Sequence, residues 1–203
     1  HFQSLYEEYH IDFEEMYYDL TKLLDKPLKK GAYTSEQNEV LSKFEENMKG
    51  KVVQKDKKFY LNVEGEGSFE MGLLSEGYKK LATIVYLIQS GSLSKGSILF
   101  WDEPEANINP KFIPVLVKIL LMLQEDGVQV FVSTNNYFLA KYFDVLKVTK
   151  DDVHYYSFYK NEDEDGKERI CVEQAGSFRL LEHNTIMEMF RKLYEDEIGI
   201  SFR

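Results

Sequence analysis

The sequence predicts an α/β fold in which parallel strands are covered by helices, with a small antiparallel meander and a carboxyl-terminal hairpin. Three observations support this prediction. Helical and strand patterns alternate through residues 73–150, an order typical of parallel strands connected by helices. Short alternating runs separated by turn residues occupy 51–72, which indicates the meander. Two alternating runs after residue 151 flank one polar turn, which indicates the hairpin.

The composition is that of a globular protein. The chain has 203 residues, 43% hydrophobic and 30% charged, enough apolar material for one sizeable core. Its net charge of −10 argues against a broad surface for nucleic-acid phosphates or anionic lipids. The single cysteine, Cys171, excludes an internal disulfide and a cysteine-rich zinc site. The sequence shows no apolar run that would span a membrane, so it predicts a cytoplasmic protein.

The first predicted domain, residues 1–50, is helical. Apolar residues recur at spacings of three and four over residues 2–24, which indicates an amphipathic helix. Thr34–Gln37 has the pattern of a capping box and opens a second helix, which Gly50 is predicted to close. The chain starts at His1 in a helical pattern with no strand or glycine-rich loop before it. We therefore expect it to be part of a longer protein.

The other predicted domains are the meander at 51–72, a central α/β segment at 73–150, and a hairpin with a final helix at 151–203. The acidic turn at 162–165 lacks the spaced ligands of a calcium loop and is interpreted as an exposed tip. The remaining predicted elements are a helix beginning at Ser75, a buried strand over 97–101, a helix over 110–125 capped by Asn109, a strand over 128–134, a helix over 137–143, and a helix over 184–196.

Three carboxylates follow the predicted strand at 97–101 within four residues: Asp102, Glu103 and Glu105. Crowded carboxylates repel one another, so the arrangement costs stability unless a cation or a proton-transfer task occupies the site. An apolar run followed by Asp-Glu is the Walker B pattern, in which the Asp holds Mg²⁺ and the Glu orients and deprotonates the attacking water. Taken alone, the same residues are also compatible with a solvated strand end that leads into a loop.

A second motif, Leu74-Ser75-Glu76-Gly77, lies upstream and opens a helix. A helix N-terminus with a Ser hydroxyl, and a Gly that lets a ligand approach the backbone, favours phosphate binding. Taken alone, these residues are also an ordinary helix start with Ser75 as its cap.

Together, the two motifs resemble the second half of an ABC-class ATPase of the SMC/RecF-like type. The resemblance is strongest to AAA-family ATPases related to overcoming-lysogenization-defect proteins and to Septu or retron defence ATPases. It covers roughly residues 59–143. It implies a P-loop NTPase-type parallel sheet, with ATP and Mg²⁺ as cofactors, and a homodimer whose composite sites each hold ATP between two protomers.

The resemblance also implies roles for individual residues. Ser75, Glu76 and Gly77 would form the signature that binds the γ-phosphate of ATP held by the opposite protomer. Asp102 would hold Mg²⁺ and Glu103 would be the catalytic base. Residues 105–110, which include Asn109, occupy the position of the D-loop, the segment that crosses the dimer interface in such ATPases.

The sequence departs from the family pattern at the end of the second strand. Asn135 follows Thr134, whereas the family usually carries a His that contacts the γ-phosphate. An amide can donate a hydrogen bond to phosphate but cannot carry a proton, so we expect slow turnover. The alternative interpretation is that Asn135 and Asn136 cap the next helix.

A second departure is the missing Walker A motif. No Gly-x-x-x-x-Gly-Lys-Ser/Thr occurs in the sequence, so the main phosphate cradle is lacking. We expect this chain alone to bind ATP poorly and to be inactive as an ATPase.

Three hypotheses for the function follow. The first is an ATPase head that dimerises around ATP and gates a nuclease or another effector in DNA repair or phage defence. The second is a nucleotide-sensing dimerisation scaffold with little or no turnover. The third is a plain structural domain in which the motifs are accidental. Any contact with DNA or RNA is expected outside this region.

Overall fold

A computed structural model describes residues 22–23, 26–28, 33–55, 58–70, 73–149, 152–162 and 167–201. Its contacts divide the chain into two compact units, His1–Val132 and Ser133–Arg203. Most of the helix predicted over 2–24 and most of the acidic turn predicted at 162–165 lie outside the described residues. None of the helices in the described ranges is long and apolar enough to cross a membrane.

The helix over Ser35–Met48, here α1, begins with the predicted capping box. The Gln37 backbone amide donates to the Thr34 hydroxyl oxygen at 3.1 Å, and the Thr34 backbone amide donates to Gln37 Oε1 at 3.2 Å. The end of the helix differs from the prediction. Lys49 closes α1 in a left-handed conformation (φ 49°), and Gly50 already belongs to the following strand.

The predicted meander is confirmed as a three-stranded antiparallel sheet. Its strands are β1 (Gly50–Lys55), β2 (Lys58–Val63) and β3 (Gly67–Glu70). Val52 of β1 lies opposite Leu61 of β2, and both side chains are buried. Only one face of this sheet therefore contributes to the core.

Two helices supply most of the core of the first unit. They are α2 (Glu76–Gln89) and α3 (Ile113–Glu125), the latter preceded by a 3₁₀ turn over Pro110–Phe112. Burial of their apolar side chains stabilises the unit, since each fully buried aliphatic side chain contributes about 1.5–3 kcal/mol. The side chains of this core that are almost fully buried include Phe44, Leu61, Leu81, Val85, Ile88, Leu116, Val117 and Leu120.

Two parallel strands, β4 (Ile98–Asp102) and β5 (Gln129–Ser133), pair with each other and confirm the predicted α/β class. The prediction that β4 is a buried strand is wrong. Half-buried and exposed residues alternate along both strands, and Phe100 is 73% exposed. A parallel strand is buried on both faces only where helices cover both, and the described part of the chain covers one. The stacked rings of Phe100 and Phe131, 4.8 Å apart, lie on the open face.

The second unit contains the predicted hairpin and two helices. Its elements are α4 (Tyr137–Leu146), β6 (Tyr155–Glu162), β7 (Glu168–Ala175) and α5 (Thr185–Ser201). The two strands are antiparallel, with Phe158 opposite Val172. The Tyr137 ring of α4 stacks on the Phe190 ring of α5 with 4.0 Å between centroids. The final helix begins where the sequence predicts and extends further than residue 196.

Candidate functional site

The carboxylate cluster begins where β4 ends. Asp102 is the last residue of the strand, and both Asp102 and Glu103 are exposed. Glu105 is 8% exposed, so the three carboxylates do not share one environment. The Glu103 backbone is left-handed, with φ 43°. This conformation turns the chain sharply at the residue predicted to be the catalytic base.

The segment after Glu103, at the predicted D-loop position, consists of two consecutive turns. The Ala106 amide donates to the Glu103 carbonyl oxygen at 3.0 Å, and the Ile108 amide donates to the Glu105 carbonyl oxygen at 3.0 Å. Asn107, inside the second turn, is also left-handed (φ 63°). Asn is one of the few non-glycine residues that tolerate this region.

Asn109 ends this segment as the predicted helix cap. Its side-chain oxygen accepts a hydrogen bond from the Lys111 amide at 3.1 Å, at the start of the 3₁₀ turn. The cap prediction is confirmed. A contact between Asn109 and nucleotide stays a prediction.

The signature residues lie at the start of α2. Ser75 occupies the N-cap position, but its side chain makes no capping hydrogen bond and is exposed. Glu76, in the first turn, pairs with Lys79 at 2.9 Å. Gly77 is buried. The hydroxyl of Ser75 is therefore not used to stabilise its own helix.

The start of α2 packs directly against the turns that follow β4. A Cβ atom on Gly77 would lie 2.6 Å from the carbonyl oxygen of Asn107, closer than such atoms approach. The Tyr78 ring meets the Phe112 ring edge to face, 6.0 Å between centroids. Lys80 Nζ donates to the Glu103 carbonyl oxygen at 3.0 Å. The fold thus brings together the two motifs that the sequence singled out.

An open depression of about 250 Å³ lies along this contact. Its lining residues carry hydroxyl, amide and ammonium groups as well as aromatic rings. Groups of this kind donate hydrogen bonds to anionic oxygens. The lining side chains and backbone include those of Ser75, Gly77, Tyr78, Asn107, Asn109 and Lys111.

The donor set at the strand end bears on the predicted Mg²⁺. Among the residues that the structure describes, no three His, Cys, Asp or Glu side chains converge to hold a metal ion. Mg²⁺ is commonly bound by one or two carboxylates together with substrate phosphates and water. Asp102 at the end of β4 fits this way of binding Mg²⁺, in which the metal arrives with a nucleotide.

Asn135 and Asn136 belong to the second unit and differ from each other. Asn136 is the N-cap of α4, with its side-chain oxygen accepting from the Leu139 amide at 3.1 Å. The Asn136 backbone amide in turn donates to the Thr134 hydroxyl oxygen at 2.9 Å. Asn135 is exposed. The cap interpretation therefore applies to Asn136, and a role for Asn135 at a phosphate stays a prediction.

Lys80 was not predicted as part of the site, and Asn107 was predicted only as a member of the D-loop segment 105–110. Both enter the site through contacts between segments that are distant in sequence. One signal was present for Lys80. It stands three residues after Gly77, a spacing that places both on the same side of α2.

Comparison with known proteins gives one assignment for the sequence. The family described as "AAA domain, putative AbiEii toxin, Type IV TA system" matches residues 4–140, more than half of the 203-residue chain. A comparison with curated proteins gives no match.

Comparison with solved structures supports the same fold. One structure is described as "Structural biochemistry of ATP-driven dimerization and DNA stimulated activation of SMC ATPases". It aligns at a TM-score of 0.51 and 8% identity, over 89% of this chain and 96% of that one. An Smc head bound to the C-winged helix domain of ScpA scores 0.47 at 10% identity, over 70% and 43%. The Smc head of Pyrococcus yayanosii, with a coiled coil and joint, scores 0.47 at 10% identity, over 79% and 29%. The fold assignment rests on the first of these.

Proposed function

Because the chain belongs to the AAA-domain family described as putative AbiEii toxin of type IV TA systems, we propose that it forms half of an ATPase head that dimerises around ATP. The predicted membership of the AAA family is confirmed by the family match, and the predicted SMC-like fold is confirmed by the first solved structure. The closer relationship to lysogeny-defect, Septu and retron ATPases stays a prediction.

One observation carries the proposal. The start of α2 and the turns after β4 pack together in a single unit, with Gly77 against the Asn107 backbone and Lys80 on the Glu103 carbonyl. A phosphate-binding helix start and a strand-end carboxylate pair are thereby held in fixed relation. An ATPase that works as a composite dimer needs such a relation, because each protomer must present both parts at once.

We assign the individual roles from the family resemblance. In the proposed dimer, Asp102 binds the Mg²⁺ that accompanies ATP, and Glu103 takes the proton of the attacking water. The Ser75 hydroxyl and the free amides of the first turn of α2, from Glu76 and Gly77 onward, face the γ-phosphate held by the partner. Asn109 ends the segment that lies along the interface. Asn135 donates a hydrogen bond to phosphate in place of an imidazole.

Nucleotide-driven association is the switch that this head would provide. ATP that contacts both protomers stabilises the dimer by its binding free energy, and hydrolysis removes that contribution. The solved structure similar in fold is described by ATP-driven dimerisation and DNA-stimulated activation of SMC ATPases. We extend the first of these properties to this chain. The intact protein would use the cycle to gate a nuclease or another effector, in DNA repair or phage defence. Nucleic-acid contacts would lie outside this region.

A scaffold that senses nucleotide with little turnover is the alternative. Asn135 favours it, since an exposed amide cannot take or give the proton that an imidazole would carry. The two functions differ in whether Glu103 limits a chemical step.

The test is Glu103→Gln in the intact protein, that is, the longest chain that contains this sequence. The amide keeps the shape of the side chain but removes the proton acceptor. We expect ATP hydrolysis to fall by roughly two to four orders of magnitude while ATP binding is retained. Phosphate release and equilibrium ATP binding would be measured for both proteins.

Glu66→Gln is the matched control, since Glu66 is an exposed residue in the turn between β2 and β3. It should leave hydrolysis unchanged. Equal phosphate release from the parent protein and Glu103→Gln, each above background, would rule out Glu103 as the base. A parent protein that binds ATP without turnover would support the scaffold.

A further inference from the structure

Glu103 has a backbone conformation that its own side chain does not favour. Its φ of 43° lies in the left-handed region, where the Cβ of an L-residue crowds the following carbonyl. Non-glycine residues remain there only when surrounding contacts hold them. The direction of the Glu103 carboxylate depends on this backbone, because Cα and Cβ turn with φ.

Two donors hold the Glu103 carbonyl oxygen. One is the Ala106 amide at 3.0 Å, which closes the local turn. The other is Lys80 Nζ, also at 3.0 Å, from a helix 23 residues earlier in the sequence. A local turn bond forms in many short loops. The ammonium is the contact that comes from a different element and ties the turn to it.

The backbone near Lys80 is itself held against the turns that follow β4. Three residues before it, Gly77 packs against the Asn107 and Ile108 backbone with no room for a Cβ. The adjacent Tyr78 ring packs edge to face against Phe112. Because α2 is held at these points, the half-buried stem of Lys80 starts from a defined position.

We propose that Lys80 is a positioning residue for the catalytic base. By donating to the Glu103 carbonyl, it holds the left-handed backbone that aims the carboxylate at the attacking water. The proposal rests on the proposed function, in which Glu103 is the base. The proposal also connects two sites through α2. The start of this helix is assigned to the nucleotide of the partner, and Lys80 of the same helix contacts Glu103, the base of its own protomer.

The neighbouring Lys79 supplies a matched control. Its ammonium pairs with Glu76 of the same helix at 2.9 Å, so it has the same charge and nearly the same place in the sequence without the contact to Glu103. Removal of either ammonium changes the net charge equally. A difference between the two variants therefore reports the contact and not the charge.

The experiment compares Lys80→Met, Lys80→Arg and Lys79→Met in the intact protein. Met keeps the apolar stem and removes the donor, whereas Arg keeps a donor. We expect Lys80→Met to lower kcat by about 10- to 100-fold, the range that a misplaced catalytic group produces, with ATP affinity changed less than about twofold since uniform binding is retained. Lys80→Arg should recover most of the rate, and Lys79→Met should lose much less of the rate than Lys80→Met.

A double variant tests whether Lys80 acts through Glu103. In the Glu103→Gln background the base is already lost, so adding Lys80→Met should cause no further decrease in rate. Multiplied losses would overturn the proposal, because they would mean that Lys80 acts separately from the base. A Lys80→Met protein with the parent's kcat would overturn it as well.

Hydrogen exchange separates this inference from the proposed function. Loss of the Lys80 contact should speed exchange of the Ala106 amide, while amides in the β1–β2 pair should be unchanged. If the parent protein has no ATPase activity, the catalytic part of both proposals is wrong. Faster Ala106 exchange in Lys80→Met would then still support the contact between Lys80 and Glu103. Unchanged exchange would overturn the contact itself. If Lys80→Met does not fold, Lys80→Leu, which also lacks a donor, takes its place and the same comparisons decide.

Discussion

At the scale of single residues, two adjacent asparagines show what a sequence leaves open. Either Asn135 or Asn136 could cap the helix that follows β5, because both precede its first turn and both have a suitable side chain. The structure assigns the cap to Asn136, whose side chain reaches the Leu139 amide. Asn135 is exposed, which leaves its amide available for a ligand.

Asp144 is the clearest case of a carboxylate with a shifted pKa. Burial alone would raise the pKa, but hydrogen bonds from the Ser177 hydroxyl and Lys147 outweigh it and hold the pKa of Asp144 below its usual value. The distances are 2.8 Å to Ser177 and 3.1 Å to Lys147. All three residues belong to the second unit.

This network predicts a pH-dependent stability difference. The folded pKa is lowered, so the ionised carboxylate stabilises the protein above the unfolded pKa of about 3.9 and loses this effect as pH falls through the folded value. Asp144→Asn should lower the free energy of unfolding by about 1–3 kcal/mol at pH 7. The difference should shrink below about pH 4. Urea unfolding at several pH values measures it.

Asp196→Asn is the control for Asp144, because Asp196 is exposed on α5. It should change stability by less than about 0.5 kcal/mol at every pH. An Asp144→Asn deficit that is the same at pH 3 and pH 7 would show that the ionised carboxylate is not the stabilising group.

At the scale of elements, local signals in the sequence were sufficient for most boundaries. The Thr34–Gln37 capping box and the Asn109 cap both appear in the structure, because capping depends on residues within one turn. The change in apolar period located the meander and the parallel strands. The open face of β4 could not be predicted in this way. An apolar run indicates that a strand can be buried, but it does not show whether a layer of helices covers each of its faces.

Contacts between elements were the second limit. Gly77 was interpreted as a residue that lets phosphate approach the backbone, and the structure adds a packing reason, the Asn107 carbonyl. Lys80 and Glu103 are joined across 23 residues. No local pattern encodes such a distance, so the residue types of the candidate site were predictable and their mutual geometry was not.

The Gly77 contact predicts the effect of adding one methyl group. In Gly77→Ala the new Cβ meets the Asn107 carbonyl oxygen, which belongs to backbone and cannot rotate away. We expect the free energy of unfolding to fall by roughly 1–3 kcal/mol, the range for overpacked sites. Chemical denaturation of this chain measures the change. It follows that Gly77→Asp would disturb packing as well as phosphate binding, so it is a poor test of the signature.

Gly199→Ala provides the opposite case. Gly199 lies in α5 with nothing within 4 Å of a Cβ, so Ala should be neutral or stabilise by up to about 1 kcal/mol through helix propensity. Equal effects at both positions would show that the approach of Gly77 to Asn107 is not tight.

At the scale of the whole molecule, the proposed function requires groups beyond those that this chain supplies. Among the described residues, no three His, Cys, Asp or Glu side chains form a metal-binding group, and the sequence has no Walker A motif. The Ser75 hydroxyl is not used within its own helix. Each of these features is what a composite site requires, since the missing groups would come from a nucleotide, another segment and a second protomer.

Assembly can therefore be tested at Ser75 without disturbing the fold. Its side chain is exposed and makes no capping bond, so Ser75→Tyr should cost little stability while its ring covers the start of α2. In the Glu103→Gln background of the intact protein, where the ATP-bound dimer should accumulate, we expect the dimer dissociation constant to rise by about thirtyfold or more, equivalent to roughly 2 kcal/mol. ATP affinity of the monomer should be unchanged, because in the proposed dimer Ser75 contacts the nucleotide of the partner. Light scattering with ATP and Mg²⁺ measures the dimer, and Ser94→Tyr, at an exposed residue of the loop before β4, should leave it intact. A dimer that is equally stable in both variants would contradict the composite site, and a loss of ATP affinity in the Ser75→Tyr monomer would place Ser75 at its own protomer's nucleotide.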